Sequence, residues 1–386
     1  MVERYRIPLL GPNETKFWLL DTTAPMNLVV VARLDVRPAV ERSAESRSFS
    51  LPLIALGPYN RPRWGPASAE GTLEVLSGRH PDDWLIEAQR LLQVRIGTQG
   101  HPPYHAVLLE HGDRATLLLA LSHALFDYRS ALMAADAFLE GRDPGSLMPA
   151  CEELLPPHAC SAQDADELID YWWRREAGIR WEAAGLARLA EALPPPAPTH
   201  LASRSLTQAQ AADLERRCRD EGVSLANALG IATAGASGER AIAYAVDMAR
   251  FIEPRPSGPG LAISHLQAEV PHAAFWDAAR SVRRQLRQGI EAGFAGDRLL
   301  DLPRALRQGS LDGIQQNAPA SITSAPRSVS SIASDEKRWV VSSARGGGFV
   351  VNPVRTDQGL ELLACTQTSE SGPLHDEICG RLLDAV

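Results

Sequence analysis

From Ala115 to Tyr128 the chain reads ATLLLALSHALFDY: an apolar run, then a histidine, then an aspartate four residues on. The run is short and apolar on both parities, the pattern of a strand buried on both faces. A turn at His111-Gly112-Asp113 pairs it with HAVLLE, His105–Glu110, as a hairpin. Beyond the aspartate, a helix from about Ser130 ends near Gly141, a residue suited to the position after a helix. His123 therefore sits on a loop leaving a buried strand, a rigid place from which to present an imidazole. A neutral imidazole takes a proton from an alcohol or amine near pH 7. Spacing alone assigns nothing, because a histidine and an aspartate four apart arise by chance in a chain this long.

Outward from that segment, strand and helix patterns mix along the whole chain. NLVVVARLD, Asn27–Asp35, is a first buried strand, and residues 40–70 predict loop with at most one short strand. Pro81–Ile96 has helical spacing. Residues 164–193 predict a long helix whose Trp172, Trp173 and Trp181 pack in the core or between lobes. Then comes LPPPAP, Leu193–Pro198; three consecutive prolines fit neither a helix interior nor a central strand. A helix pair follows, from Thr207 to Glu221 and from the N-cap Ser224. A strand over 241–247 and a helix through Phe275, Val282 and Ile290 come next. Strands near 320–331, 338–344, 348–353 and 359–367 precede a last helix, His375–Leu383. The expectation is mixed α/β: a first lobe over 1–192, a proline linker over 193–199 and a second lobe over 200–386.

Composition excludes several classes. The chain has 386 residues, 45% hydrophobic and 22% charged, so it is neither disordered nor low-complexity. A net charge of −8 argues against nucleic acid as a main partner. Only Lys16 and Lys337 of the 39 basic residues are lysine. No apolar run is long enough to span a membrane, and MVERYRIPLLG lacks the apolar core of a signal peptide. Five cysteines, without metal-ligand spacing, predict buried thiols in a reduced, cytoplasmic protein with no metal.

SHALFDY, set between an LLLAL strand and a helix, resembles the HHxxxDG motif of the condensation-domain and chloramphenicol-acetyltransferase-like superfamily, and the HxxxD motif of BAHD acyltransferases. Leu10-Gly11-Pro12-Asn13-Glu14 followed by NLVVVARLD is similar to the start of the polyketide-associated branch. Ser205–Leu229 resembles the helix pair opening the second half of these enzymes, and VDMARFIEP, Val246–Pro254, their VDxR segment. The pieces occur in the family's order. The resemblance implies two chloramphenicol acetyltransferase-like lobes in a V-shaped pseudo-dimer, with the HxxxD loop at the centre of a channel.

On that resemblance His123 is the general base, and Asp127 is structural with Arg250 as its ion-pair partner. Ser122 stands where the family has its first histidine. Tyr128 stands where it has glycine; there a tyrosine shapes an acceptor pocket, donates a hydrogen bond or blocks the channel. Ser324 lies in the stretch Ile322–Arg327, which resembles the strand carrying the family's oxyanion elements, although neither DFGWG nor an intact SNxG occurs. Ser122, Tyr128 and Ser324 are thus substrate-binding candidates. Asp247 reads as a capping residue, His265 as a sheet residue and Gly346-Gly347-Gly348 as a tight turn. Residues 36–50 are short and polar where the family has a full helix.

The implied function is an acyltransferase of natural-product or lipid biosynthesis. It moves an acyl group from a thioester donor, acyl-CoA or a phosphopantetheinyl acyl carrier protein, to a small-molecule alcohol or amine. No cofactor is held permanently. The rival expectation is an inactive condensation-like module that docks a carrier protein or partner enzyme.

Overall fold

The computed structural model describes residues 9–386 apart from 36–48, 57–61, 69, 81, 163, 180–196, 309–319, 323–337, 345–348, 357 and 368–370. In the first half, β4 (Thr72–Ser77), β5 (Tyr104–His111), β6 (Arg114–Ser122) and β1 (Asn27–Leu34) lie side by side in one sheet. The expected hairpin is there: β5 and β6 pair antiparallel from Tyr104↔Leu121 to His111↔Arg114. Strand alternation sends β1 into two cores. Leu28, Val30 and Ala32 face α1 (Pro12–Thr23) and α3 (Tyr128–Glu140), against Phe17, Ala131 and Phe138. Val29 and Val31 face α2 (Asp83–Leu91), with Trp84, Leu91 and Trp339. Burial on both faces explains why β1 reads as a continuous apolar run.

The second half builds a six-stranded sheet in the order β7 (His200–Thr207), β13 (Gly359–Thr366), β12 (Phe349–Thr356), β10 (Ala320–Ile322), β8 (Ala241–Asp247) and β9 (Ile263–Glu269). The expected helix pair is α6 (Gln208–Asp220) and α7 (Leu225–Ser237), each started by a side-chain cap, Thr207 and Ser224. With α8 (Phe275–Glu291) and α10 (Ser371–Asp384) they enclose the second core through Leu214, Leu229, Val282 and Leu382.

The chain does not part cleanly at the proline segment, whose residues 193–196 lie outside the described ones. Strand β11 (Arg338–Ser342) belongs by sequence to the second half, yet it pairs antiparallel with β1 and completes the first sheet. Ser343 N–H also donates to the Asn27 carbonyl (2.9 Å).

Other expectations change. Residues 51–68 form a hairpin of two strands, β2 (Leu51–Leu56) and β3 (Pro62–Ser68). The long tryptophan helix is described only as α5 (Ala165–Ile179), and its tryptophans are not core: Trp172 is 46% and Trp173 73% exposed. Trp181 lies outside the described residues. Trp84 and Trp339 fill the core instead, with ring centroids 5.2 Å apart. Helices α1 and α9 (Phe294–Gln308) were not anticipated from hydrophobic periodicity; they pack on each other, and α1 carries part of the site.

Candidate active site

β6 ends at Ser122, whose carbonyl accepts from Leu125 N–H (3.0 Å) and Phe126 N–H (3.1 Å), closing a tight turn. His123 N–H is fixed to the Met26 carbonyl at the mouth of β1 (2.8 Å). Its ring is fixed twice more. Nδ1 lies 2.9 Å from the Phe126 carbonyl, and the Phe17 ring of α1 stacks on the imidazole at 4.1 Å and 25°. A carbonyl only accepts, so Nδ1 carries the proton and Nε2 keeps its lone pair. Burial pushes the pKa of His123 down to about 4, and the positive charge of Lys16 adds to that. The ring is therefore neutral near pH 7, with Nε2 as its basic atom.

Asp127 does not touch the imidazole. It is the N-cap of α3, as its Oδ1 accepts from Ser130 N–H (2.8 Å). Its Oδ2 accepts from Ala262 N–H, across the halves (2.9 Å). The Ser130 hydroxyl accepts from Asp127 N–H (2.9 Å) and lies 2.8 Å from Oδ1 and 2.9 Å from the Gly260 carbonyl. The carboxylate is thus structural, but the expected ion pair with Arg250 is not formed. Arg250 is exposed, and its guanidinium stacks over the Phe251 ring at 4.6 Å. Ser130 N–H at the helix start and Ala262 N–H from the second half already occupy the two oxygens that an arginine fork would need.

Tyr128 is the first residue of α3, in ordinary helical backbone, so the position does not require glycine. The side chain is buried in the first core, and its hydroxyl accepts from Val340 N–H of β11 (3.1 Å). Its hydroxyl bonds the strand that crosses from the second half. Ser122 is buried against Gly97, and its hydroxyl accepts from Ala124 N–H (3.3 Å). Asp247 caps the turn at Ala249 (3.0 Å) and pairs with Arg255 (2.6 Å). Ser324 and Gly346–Gly348 lie outside the described residues, as do residues 36–48 of the shortened first-half segment.

Sequence reasoning missed the wall facing His123. Helix α1 carries Asn13, Glu14, Lys16 and Phe17, all buried. The Asn13 side chain donates to the Ile263 carbonyl at the start of β9 (3.1 Å), and Glu152 accepts from Asn13 N–H (2.8 Å). Glu14 accepts from Gly11 N–H. Burial and mutual repulsion push Glu14 up to about 8, and burial first of all pushes Glu152 up to about 7. His265 on β9 is held well below its ordinary pKa by burial first and by the charges of Lys16 and Arg298. Pro12 at the helix start and Glu14 two residues on were the available sequence signals for α1.

No cysteine competes as a nucleophile: burial raises the pKa of Cys151, Cys160, Cys218, Cys365 and Cys379. A thiol raised in this way holds little thiolate near neutral pH. Among the described residues no group of three or more His, Cys, Asp or Glu could hold a metal ion, and no helix is long and apolar enough to cross a membrane.

Comparison with known proteins places this geometry in a fold. No family model matches the sequence, and no curated protein does. Solved structures match over nearly the whole chain. The first condensation domain of the calcium-dependent antibiotic synthetase, in complex with a substrate analogue, aligns with a TM-score of 0.64 at 15% identity, covering 98% of this chain and 96% of that one. The starter condensation domain of rhizomide synthetase, in complex with C8-CoA, aligns at 0.62 and 13% identity, covering 98% and 94%. Polyketide synthase associated protein 5 from Mycobacterium tuberculosis aligns at 0.58 and 16% identity, covering 98% and 97%. The chain therefore has the condensation-domain fold, with two chloramphenicol acetyltransferase-like lobes.

Proposed function

We infer that the protein is an acyltransferase that uses His123 as general base. It transfers an acyl group from a thioester, acyl-CoA or an acyl carrier protein, to an alcohol or amine. The observation that carries this reading is the Nδ1 contact to the Phe126 carbonyl (2.9 Å), which leaves Nε2 of a neutral ring unprotonated. A condensation-domain neighbour in complex with C8-CoA supports a thioester donor.

In the reaction, Nε2 takes the proton of the acceptor O–H or N–H as its oxygen or nitrogen attacks the thioester carbonyl. The tetrahedral intermediate collapses, the C–S bond breaks, and the imidazolium returns the proton to the departing thiolate. The products are an ester or amide and a free thiol. Phe17 and the Phe126 carbonyl hold one ring orientation throughout, and the Phe126 carbonyl stabilises the transient imidazolium.

The test is mass spectrometry of products from a panel of acyl-CoA and carrier thioesters with alcohols and amines. His123→Ala is expected to lower kcat by about 10²–10⁴-fold while the variant still folds, as its circular dichroism should show. In wild type, protonation of Nε2 places the acid limb of kcat/KM near the pKa of about 4, below the usual histidine range. Full activity in His123→Ala overturns the base assignment. Carrier-protein binding without consumption of any thioester by wild type assigns the chain instead to the docking modules.

A further inference from the structure

Helix α1 grips its surroundings through one stripe of side chains. Asn13, Phe17 and Asp21 are buried and spaced four residues apart, so successive members lie on the same face of the helix. Each holds something different. The Asn13 side chain donates to the Ile263 carbonyl of β9, in the second half (3.1 Å). Phe17 stacks on the His123 imidazole at 4.1 Å and 25°. Asp21 Oδ1 accepts from Met26 N–H (2.7 Å), and the Met26 carbonyl in turn accepts from His123 N–H (2.8 Å). The helix therefore reaches His123 twice, at its ring and at its backbone.

The second-half segment that Asn13 holds is also held by the histidine loop. Ala262 N–H donates to Asp127 Oδ2 (2.9 Å), Asp127 N–H donates to the Gly260 carbonyl (3.3 Å), and the Ser130 hydroxyl lies 2.9 Å from that same carbonyl. The loop, residues 260–263 and α1 thus close a ring of buried contacts. Close packing leaves no slack in such a ring, so a shift of one member displaces the next. Phe17 adds what a hydrogen bond cannot. The outer torsion of a histidine side chain is broad, and the contact at Nδ1 fixes one edge of the ring; a phenyl on its face removes the remaining tilt.

Resting on the general-base reading above, we propose that Asn13 and Asp21 are positioning residues for His123, acting through Phe17 and Met26, so that the imidazole is aligned only while the second half holds α1. Neither residue touches a reactant. Asn13 ties the helix to β9, and Phe17 carries that tie to the ring one turn further on. Asp21 sets the backbone from which the ring projects. The base is then in place only when the two halves are seated on each other. A general base misplaced by a fraction of its hydrogen-bond length loses much of its effect.

Nitrogen NMR of the full chain, labelled in its histidines, tests this without a substrate. The His123 signals are those that vanish in His123→Ala. In wild type Nδ1 should show the shift of a protonated imidazole nitrogen and Nε2 that of an unprotonated one, with the ring protons moved upfield by Phe17. In Asn13→Ala the two nitrogen shifts should move toward each other as a second tautomer appears, and the upfield displacement should shrink. Asn13→Leu, of similar shape, carries the same expectation should alanine fail to fold, and Asp21→Ala should move the same signals. Thr22→Ala, which lies off the stripe and removes only a hydroxyl bond to the Leu19 carbonyl (2.6 Å), should leave them in place. With a thioester and acceptor that wild type consumes, Asn13→Ala should lower kcat about ten- to a hundredfold with little change in KM. Wild-type His123 signals in folded Asn13 variants overturn the proposal, as does an equal displacement in Thr22→Ala or a loss confined to KM. Displaced signals in the Asn13 variants, with no acyl transfer by wild type, would sink the transferase reading and leave the positioning role standing.

Discussion

Two buried charged groups in this molecule, Asp127 and Lys16, are treated in opposite ways. Around Asp127 both carboxylate oxygens have donors: Ser130 N–H and the Ser130 hydroxyl on Oδ1, and Ala262 N–H on Oδ2. Around Lys16 no ion pair or hydrogen bond forms among the described residues, although cations elsewhere, such as Arg174 and Arg90, are paired. A satisfied buried charge holds a structure together, and its worth is measured by what is orphaned when it goes. An unsatisfied one costs stability and is retained for what it meets later. HxxxD repeats the contrast within four residues: the neutral histidine keeps a free lone pair on Nε2, whereas the oxygens of the aspartate accept from Ser130 and Ala262.

The largest test of that contrast is Asp127→Ala. It orphans Ser130 N–H and Ala262 N–H and removes a helix cap, a loss of about 2–4 kcal/mol from cap and buried-donor costs, measured by urea unfolding. A loss below ~1 kcal/mol would mean that the clasp between the halves is not carried by this carboxylate. Tyr128→Phe should come next. It removes the acceptor of Val340 N–H and is expected to lose about 1–3 kcal/mol, with its crossover strand β11 exchanging amide hydrogens faster.

Glu14→Gln gives a pH-gated effect. The folded carboxyl is raised to about 8 from 4.5, so the folded state holds a proton that the unfolded chain has released. Stability is therefore lost as pH rises from about 4.5 through 8. The glutamine variant should melt like wild type at pH 5 and increasingly above it by pH 9, in paired thermal scans. The smallest effect is expected from Arg250→Ala, within about 0.5 kcal/mol, because the guanidinium is exposed and makes no ion pair with Asp127. A loss as large as that of Asp127→Ala would restore the ion pair that the geometry denies.

The chain shows which parts of such a site a sequence carries. β6, the loop and α3 were legible because each is local. An apolar run, a capping aspartate and a terminal glycine, Gly141 at φ 68°, follow one another within thirty residues. Helix α1 was not legible, for a physical reason. Polar and apolar residues alike are buried along it, from Asn13 and Glu14 to Phe17 and Leu20, so no amphipathic period exists to be read.

Sequence by itself determined the mixed α/β class and the imidazole at the end of a buried strand, because strand alternation and caps act over a few residues. Tertiary structure alone decided that Asp127 grips Ala262 rather than Arg250, that β11 crosses to the first sheet, and that Phe17 of α1 stacks on His123. Those pairings join residues more than a hundred positions apart. No local pattern encodes which distant donor reaches a buried charge first, since burial and backbone geometry settle that contest only after the two halves have met.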